Sequence, residues 1–294
     1  MEQSEQKLPF TVICGRKEGP SVLISAGVHG AEYVGIQTVM ELSRELEAED
    51  ISGSLVFLLL ANPSAFRNYT RFVVPEDGKN LNRVFPGKRN GTLSERIAYT
   101  IVHELQSQAD FYIDVHAGDT SEEAMPFVYF TGVAREEVCR ASEAMAMAAD
   151  TAIRAVSTAA AGAYSCACIH KIPSVLMERG GRGMYTREEV ELYKRDIRNI
   201  LIHLKVLPGK ERRRMKQKRV DRAVYLEAEQ EGFWYPKLKA GGTFSKGVLL
   251  GELKDVWGKL LYSCRSEYDG IILYQTVVLG VKEGDPLIAY GMIS

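Results

Sequence analysis

The sequence is poor in the features that commit a chain to an oxidising compartment, a membrane or a polyanion. Its five cysteines, at positions 14, 139, 166, 168 and 264, are odd in number and lack the paired spacing of a zinc ribbon or a disulfide framework. They predict free thiols in a reducing cytoplasm. The opening MEQSEQKLPF has no basic stretch leading into an apolar one, so no secretory signal is expected. The longest strongly apolar run, Leu55 to Ala61, falls far short of the ~20 residues that cross a bilayer, so no transmembrane helix is expected. Neither sign of charge is in excess: 37 Lys and Arg stand against 38 Asp and Glu, a formal net charge of -1. No global field draws the protein to nucleic acid or to an anionic membrane. A phosphate loop, a dinucleotide fingerprint and a nucleophile elbow are also missing.

What is there is a chain of 294 residues, 46% hydrophobic and 26% charged, long enough for a sizeable core. Ser21 to Gly27 (SVLISAG) is a β-leaning run that ends in Gly. Val34, Ile36, Val39, Met40 and Leu42 then recur among polar positions, which predicts a helix beginning near His29. A second strand is expected at Leu55 to Leu60. Ser64 to Asn90, rich in Arg, Asn, Pro and Gly, has no clear period and reads as a long loop, a kind of segment often given to function. Thr92-Leu-Ser-Glu95 is a capping-box pattern ahead of Ile97, Ala98, Ile101, Val102 and Leu105, and predicts a helix start. Phe111 to Val115 reads as a strand, Ala141 to Ala161 as a helix, Ser174 to Met177 as a buried strand and Thr186 to Leu207 as a long helix. The alternation predicts an α/β sheet covered on both faces.

At Pro208 to Arg222 (PGKERRRMKQKRVDR) apolar residues nearly vanish. The change marks a first domain over 1–208, a basic linker over 209–222 and a small C-terminal all-β domain over 223–294. In that last part short β-prone runs are broken by glycines, from Gly241-Gly242 to Gly284. The basic run has no interleaved aromatics, which favours a solvated linker over a nucleic-acid surface.

Four segments carry chemistry. His29-Gly30-Ala31-Glu32 sets an imidazole and a carboxylate three residues apart at a strand-to-helix junction, where both can reach one ion; alone, the motif could equally be a turn. A catalytic zinc site typically uses three protein ligands, and His116, in Asp114-Val-His116, ends a different strand and completes a two-His, one-carboxylate set. Asn82 and Arg83, with Arg71 upstream in the same loop, suit the capture of a carboxylate and the stabilisation of charge. Glu178 follows a buried strand and precedes Arg179-Gly180-Gly181, a suitable place for a general base. Cys166, Cys168 and His170 alternate, so on a strand they would share a face and form a rival metal trio without an obvious fourth ligand. His103 and His203 sit on predicted helices and read as structural or solvent-facing.

The ordered set HGAE, NPSAF, the Arg-Phe at 71 and 72, NLNRVFPG, DVH and MERGG resembles the succinylglutamate desuccinylase and aspartoacylase family, relatives of the carboxypeptidase A-like zinc peptidases. The resemblance spans roughly residues 20 to 205. It implies a mixed central sheet with helices on both faces and a single Zn2+ on His29, Glu32 and His116. Arg71 would polarise the scissile carbonyl, Asn82 and Arg83 would hold the substrate carboxylate, and Glu178 would be the catalytic base. The implied partner is a small molecule bearing a carboxylate, and the implied reaction is hydrolysis of its amide by activated water. A zinc carboxypeptidase acting on peptides would use the same residues, and a non-catalytic binding protein could keep the fold. Two departures stand out. Arg179 and Arg182 follow the catalytic Glu where the family is often apolar, and the family's late Tyr could be Tyr164, Tyr185 or Tyr268. The end of the chain resembles a lipoyl-like barrel without the exposed lysine turn of carrier domains. Oligomeric state, including a homo-oligomer, is left open.

Overall fold

The computed structural model describes residues 6–213 and 215–293. The chain opens with β1 (Phe10–Cys14), β2 (Lys17–Ala26), α1 (Tyr33–Glu45) and β3 (Ser52–Leu58). The expected long loop carries short elements of its own: α2 (Pro63–Arg67), then β4 (Val73–Val74) paired with β5 (Lys79–Asn80). Next come α3 (Leu93–Thr100), β6 (Phe111–Val115), β7 (Glu122–Thr131) and α4 (Glu136–Ala148). β8 (Ile153–Ser157), α5 (Ala163–Ile169), β9 (Ser174–Gly181) and α6 (Arg187–His203) follow.

The central sheet runs β1-β3-β2-β6-β9-β7. β3, β2, β6 and β9 are mutually parallel, while β1 runs antiparallel to β3 and β7 antiparallel to β9, so the sheet is mixed. Successive residues of β2 feed opposite cores because a strand's side chains alternate. Val22 and Ile24 join Val39 and Leu42 of α1, Met145 of α4 and Ile197 of α6 on one face. Leu23 joins Leu93 and Ile97 of α3 and Ala167 of α5 on the other. Strands buried on both sides must be apolar throughout, which is why they read as continuous runs. Ile113 at the centre of β6 is fully buried. Truncating it to Ala would cost ~2–5 kcal/mol.

Several expected boundaries move. α1 begins at Tyr33, not near His29, with Glu32 as its N-cap. Gly27 turns the chain out of β2 at φ 70, and Gly30 lies so close to the next segment that a Cβ there would sit 2.4 Å from the Phe66 amide nitrogen. Residues 27–32 are therefore loop. Thr92 does cap α3, its N–H donating to the Glu95 carboxylate at 2.9 Å. The helix expected over Ala141 to Ala161 is instead α4 followed by β8, whose alternating burial and parallel pairing with β7 overrule the helix propensity of the alanines. Cys166 and Cys168 lie on α5, not on a strand, and His170 caps its end. Cys168 Sγ turns to the Ser174 carbonyl while Cys166 Sγ faces His170 Nδ1, so no trio forms.

The remaining elements are strands: β10 (Lys218–Val220), β11 (Ala223–Glu227), β12 (Gly232–Pro236), β13 (Thr243–Phe244), β14 (Leu249–Lys254), β15 (Leu260–Arg265), β16 (Gly270–Thr276), β17 (Gly280–Val281) and β18 (Pro286–Met292). β10, inside the basic stretch, pairs in parallel with β8. β15, β14, β12 and β17 make a four-stranded sheet around Trp234, Leu250 and Leu253. β16, β18 and β11 continue the central sheet, because Tyr274 to Thr276 of β16 pair with Glu122 to Ala124 of β7. Among the described residues no helix is long and apolar enough to cross a membrane.

Candidate functional site

Ala26, Val115 and Met177 form one row across β2, β6 and β9. The residues after them therefore gather at one edge of the sheet, where strand ends of α/β proteins leave a crevice. His116 comes directly after β6, its N–H donating to the Met177 carbonyl at 2.9 Å, and Glu178 comes directly after Met177. The loop after β2 brings His29 and Glu32 to the same place. His29 Nδ1 lies 2.6 Å from Glu32 Oε1, and His116 Nδ1 lies 3.0 Å from Glu32 Oε2. These three ligand atoms fall within 4.8 Å of one another.

A hydrogen bond behind His29 and a close carboxylate behind His116 set which ring nitrogens face inward. Asn80 Oδ1 accepts the Asn82 N–H at 2.8 Å, so this atom is the amide oxygen, and His29 Nε2, 3.2 Å away, must donate to it. His29 Nδ1 is left with its lone pair toward Glu32, free to ligate. His116 Nε2 lies 3.3 Å from Asp114 Oδ2, whose other oxygen accepts from Ser25 Oγ at 2.8 Å, and Ser25 Oγ meets Tyr112 Oη at 2.6 Å. Tyr193 of α6 fixes the backbone by donating to the His116 carbonyl at 2.7 Å. A carboxylate or carbonyl behind each ligating imidazole is the usual support for a metal site.

Burial pushes the Glu32 carboxyl up, yet His116 and His29 outweigh it and hold the group well below the usual carboxylate range. Burial opposes a charge on His116 as well, but Glu32 and Asp114 raise it well above its ordinary value. A buried carboxylate between two imidazole nitrogens at such distances needs a cation, whether a proton or a metal ion. Two nitrogens and a carboxylate oxygen suit a divalent transition metal. Among the described residues the other acidic group close enough, Glu41, Glu45 and Glu191, is already filled by Lys194 Nζ, which lies 2.6 to 2.8 Å from all three.

Glu178 sits beside the triad, and its carboxyl is raised well above the ordinary range, first by burial and then by Glu32. Arg71 Nε donates to Asp119 Oδ2 at 2.6 Å, and Asp119 Oδ1 accepts the Ser121 N–H and hydroxyl at 2.6 and 2.8 Å. Asn82 is buried, and its Oδ1 accepts the Ala163 N–H at 2.9 Å, which leaves its Nδ2 to donate. Arg83 is exposed. Arg179 and Arg182 both point elsewhere. Arg179 alternates with Glu178 on β9 and is buried against α6, donating to Asp196 Oδ2 at 2.6 Å, and Arg182 pairs with Glu123 at 2.7 Å.

Several residues at this site carried no signal in the sequence. Asn80 and Asp114 sit inside the motifs but had no role there. Tyr274 on β16, not Tyr164, Tyr185 or Tyr268, is the late tyrosine within electrostatic reach of Glu122, Glu178 and Arg83. Tyr185 is 59% exposed, and Tyr268 packs at a tilt against Tyr290 in the C-terminal strands. Asp285, in the turn before β18, lies 3.8 Å from Arg71 Nη1. A groove of about 920 Å³ between β1 and α3 contains none of these residues.

A mixed α/β sheet that gathers two histidines and a glutamate at its strand ends defines a class of metal-site folds. The chain belongs to the succinylglutamate desuccinylase/aspartoacylase family, whose catalytic-domain model matches residues 18–204. It is 28% identical over 289 residues to N-alpha-acetyl-L-2,4-diaminobutyric acid deacetylase of Halomonas elongata, covering 95% of this chain and 84% of that protein. It is 36% identical over 86 residues to succinylglutamate desuccinylase of Pseudomonas paraeruginosa, covering 29% and 25% of the two chains. The product-bound ectoine utilization protein EutE (DoeB) of Ruegeria pomeroyi superposes with a TM-score of 0.87 at 27% identity, over 97% of this chain and 89% of that one. A succinylglutamate desuccinylase/aspartoacylase of Rhodobacter sphaeroides gives a TM-score of 0.87 at 28% identity, over 98% and 90%.

Proposed function

We propose that this chain is a zinc-dependent deacylase that hydrolyses the amide of an N-acyl amino acid. The observation that carries the reading is the pair of imidazoles whose Nδ1 atoms both turn to Glu32 while Asn80 accepts from the far nitrogen of His29 and Asp114 lies 3.3 Å from that of His116. A zinc ion on His29, Glu32 and His116 supplies, when bound, Lewis acidity toward water and the scissile carbonyl. Glu178 takes the proton of the attacking water and returns it to the leaving nitrogen. Arg71, held in place by Asp119, donates to the carbonyl oxygen as charge develops there. Asn82 Nδ2 and the Arg83 guanidinium hold the amino-acid carboxylate and so fix the amide relative to Glu178.

The part over 1–208 carries this chemistry in our reading, and the part over 223–294, beyond the basic stretch 209–222, walls the site with Tyr274 and Asp285. That wall favours a small acyl amino acid over a peptide. Free, scattered cysteines favour a cytoplasmic location. The test is hydrolysis of a panel of N-acyl amino acids and short peptides by zinc-loaded protein, with Glu178→Gln beside it. Turnover of acyl amino acids, reduced at least ~100-fold in E178Q at unchanged zinc content, is the expected result. Cleavage of peptides alone would replace this reading with a carboxypeptidase, and full activity in E178Q would remove Glu178 from the mechanism.

A further inference from the structure

Charge is unevenly distributed along the site. At one end Arg83 is exposed and, among the described residues, makes no ion pair. At the other end Arg71 is matched by Asp119 at 2.6 Å and faces Asp285 at 3.8 Å. Glu122 stands in the same place, within electrostatic reach of Asp119, Glu32 and Arg71. Its neighbour Glu123 is taken by Arg182, but among the described residues the Glu122 carboxyl has no hydrogen bond and no ion pair. A single arginine therefore faces three acids at this end.

The backbone holds Glu122 there. It begins β7, opposite Thr276 of β16, and its carbonyl accepts the Arg182 N–H at 2.8 Å. Gly181 packs so tightly on that carbonyl that a Cβ would lie 2.1 Å from the oxygen. Burial, and after it Asp119 and Glu32, push the carboxyl up to about 8. Burial alone would raise the carboxyl; the part of the rise that comes from Asp119 and Glu32 reflects the acids gathered around it. A divalent cation on the triad favours the ionised form.

We propose that Glu122, with Asp119 and Asp285, makes the acyl end of the site a charge filter that accepts an uncharged acyl group such as acetyl and rejects a dicarboxylic one such as succinyl. The inference rests on the deacylase reading, in which the amino-acid carboxylate binds at Arg83 and the scissile carbonyl lies against Arg71. The acyl chain then leaves the carbonyl on the side of Arg71. A second carboxylate on that chain arrives among three acids, and Arg71, already matched by Asp119, cannot offset them. Like charges brought together in a partly buried site are strongly disfavoured.

The test compares kcat/KM for the N-acetyl and N-succinyl forms of the same amino acids, using zinc-loaded wild type, Glu122→Gln and Asp285→Asn. Wild type is expected to favour the acetyl forms by on the order of 100-fold. E122Q should raise the succinyl-to-acetyl ratio by roughly tenfold or more, through a gain on the succinyl form that a folding defect cannot produce. D285N should move the ratio in the same direction by less, and serves if E122Q fails to fold. Wild type that takes both acyl groups equally, or variants that leave the ratio unchanged, would overturn the filter. Wild type that hydrolyses no acyl amino acid would bring down the deacylase reading and the filter with it.

Discussion

The α/β part brings the triad and Glu178 together from the loop after β2, the end of β6 and β9 itself, whereas the C-terminal strands reach the same place with Tyr274 and Asp285 only because β16 joins β7. In the proposed reading the first region supplies groups that bind and react, and the second supplies a wall and a charge. A group at a strand end is fixed by several backbone ladders at once, while Asp285 is held by its own turn, where it accepts the Lys282 N–H at 3.0 Å. The chemistry should therefore be far more sensitive to changes in the first region than in the second.

The largest effect is expected at a ligand. His116→Ala should abolish stoichiometric zinc and reduce kcat by more than ~1,000-fold, measured by metal analysis and steady-state kinetics. An active, metal-loaded H116A would dissolve the contrast between the regions. Asp114→Asn keeps the shape but weakens the support behind His116. It should lower zinc affinity by roughly 10- to 100-fold in a competition titration with a chromogenic chelator. In the C-terminal region Asp285→Asn should leave zinc affinity alone and change kcat/KM on an acetyl substrate by no more than roughly fivefold. A fall as large as that of H116A would mean that the second region is part of the catalytic machinery.

The smallest effect is on stability. The Glu122 carboxyl, about 8 when folded against an ordinary value of 4.5, keeps a proton that the unfolded chain has released. Its contribution is therefore complete below about 4.5 and is lost as the pH rises to about 8. Thermal unfolding of chelated wild type should show a melting temperature that declines across this window. E122Q should show a flatter profile, and equal slopes would contradict the assignment.

Much of the α/β part was legible because its information is local. HGAE and DVH each place a ligand type beside an apolar strand, and the capping box at Thr92 marks a helix start within four residues. What failed depended on distant pairing. The alanines after 141 resemble a continuing helix until β7 supplies a partner for Ile153 to Ser157. The spacing of Cys166, Cys168 and His170 fits the two-residue period of a strand, yet packing beneath the sheet made the segment a helix. Glu122, Tyr274 and Asp285 meet only through the β7–β16 pairing and the turn before β18, and no local pattern announces that closure.

The central claim is that one divalent metal on His29, Glu32 and His116 sustains amide hydrolysis by this chain. Its most direct test is to titrate chelated protein with zinc while following hydrolysis of an N-acetyl amino acid. Activity that rises in proportion to bound metal and saturates at one equivalent, with no rise in H116A, is the predicted result. Full hydrolysis by metal-free protein, or zinc bound at one equivalent in H116A, would contradict it.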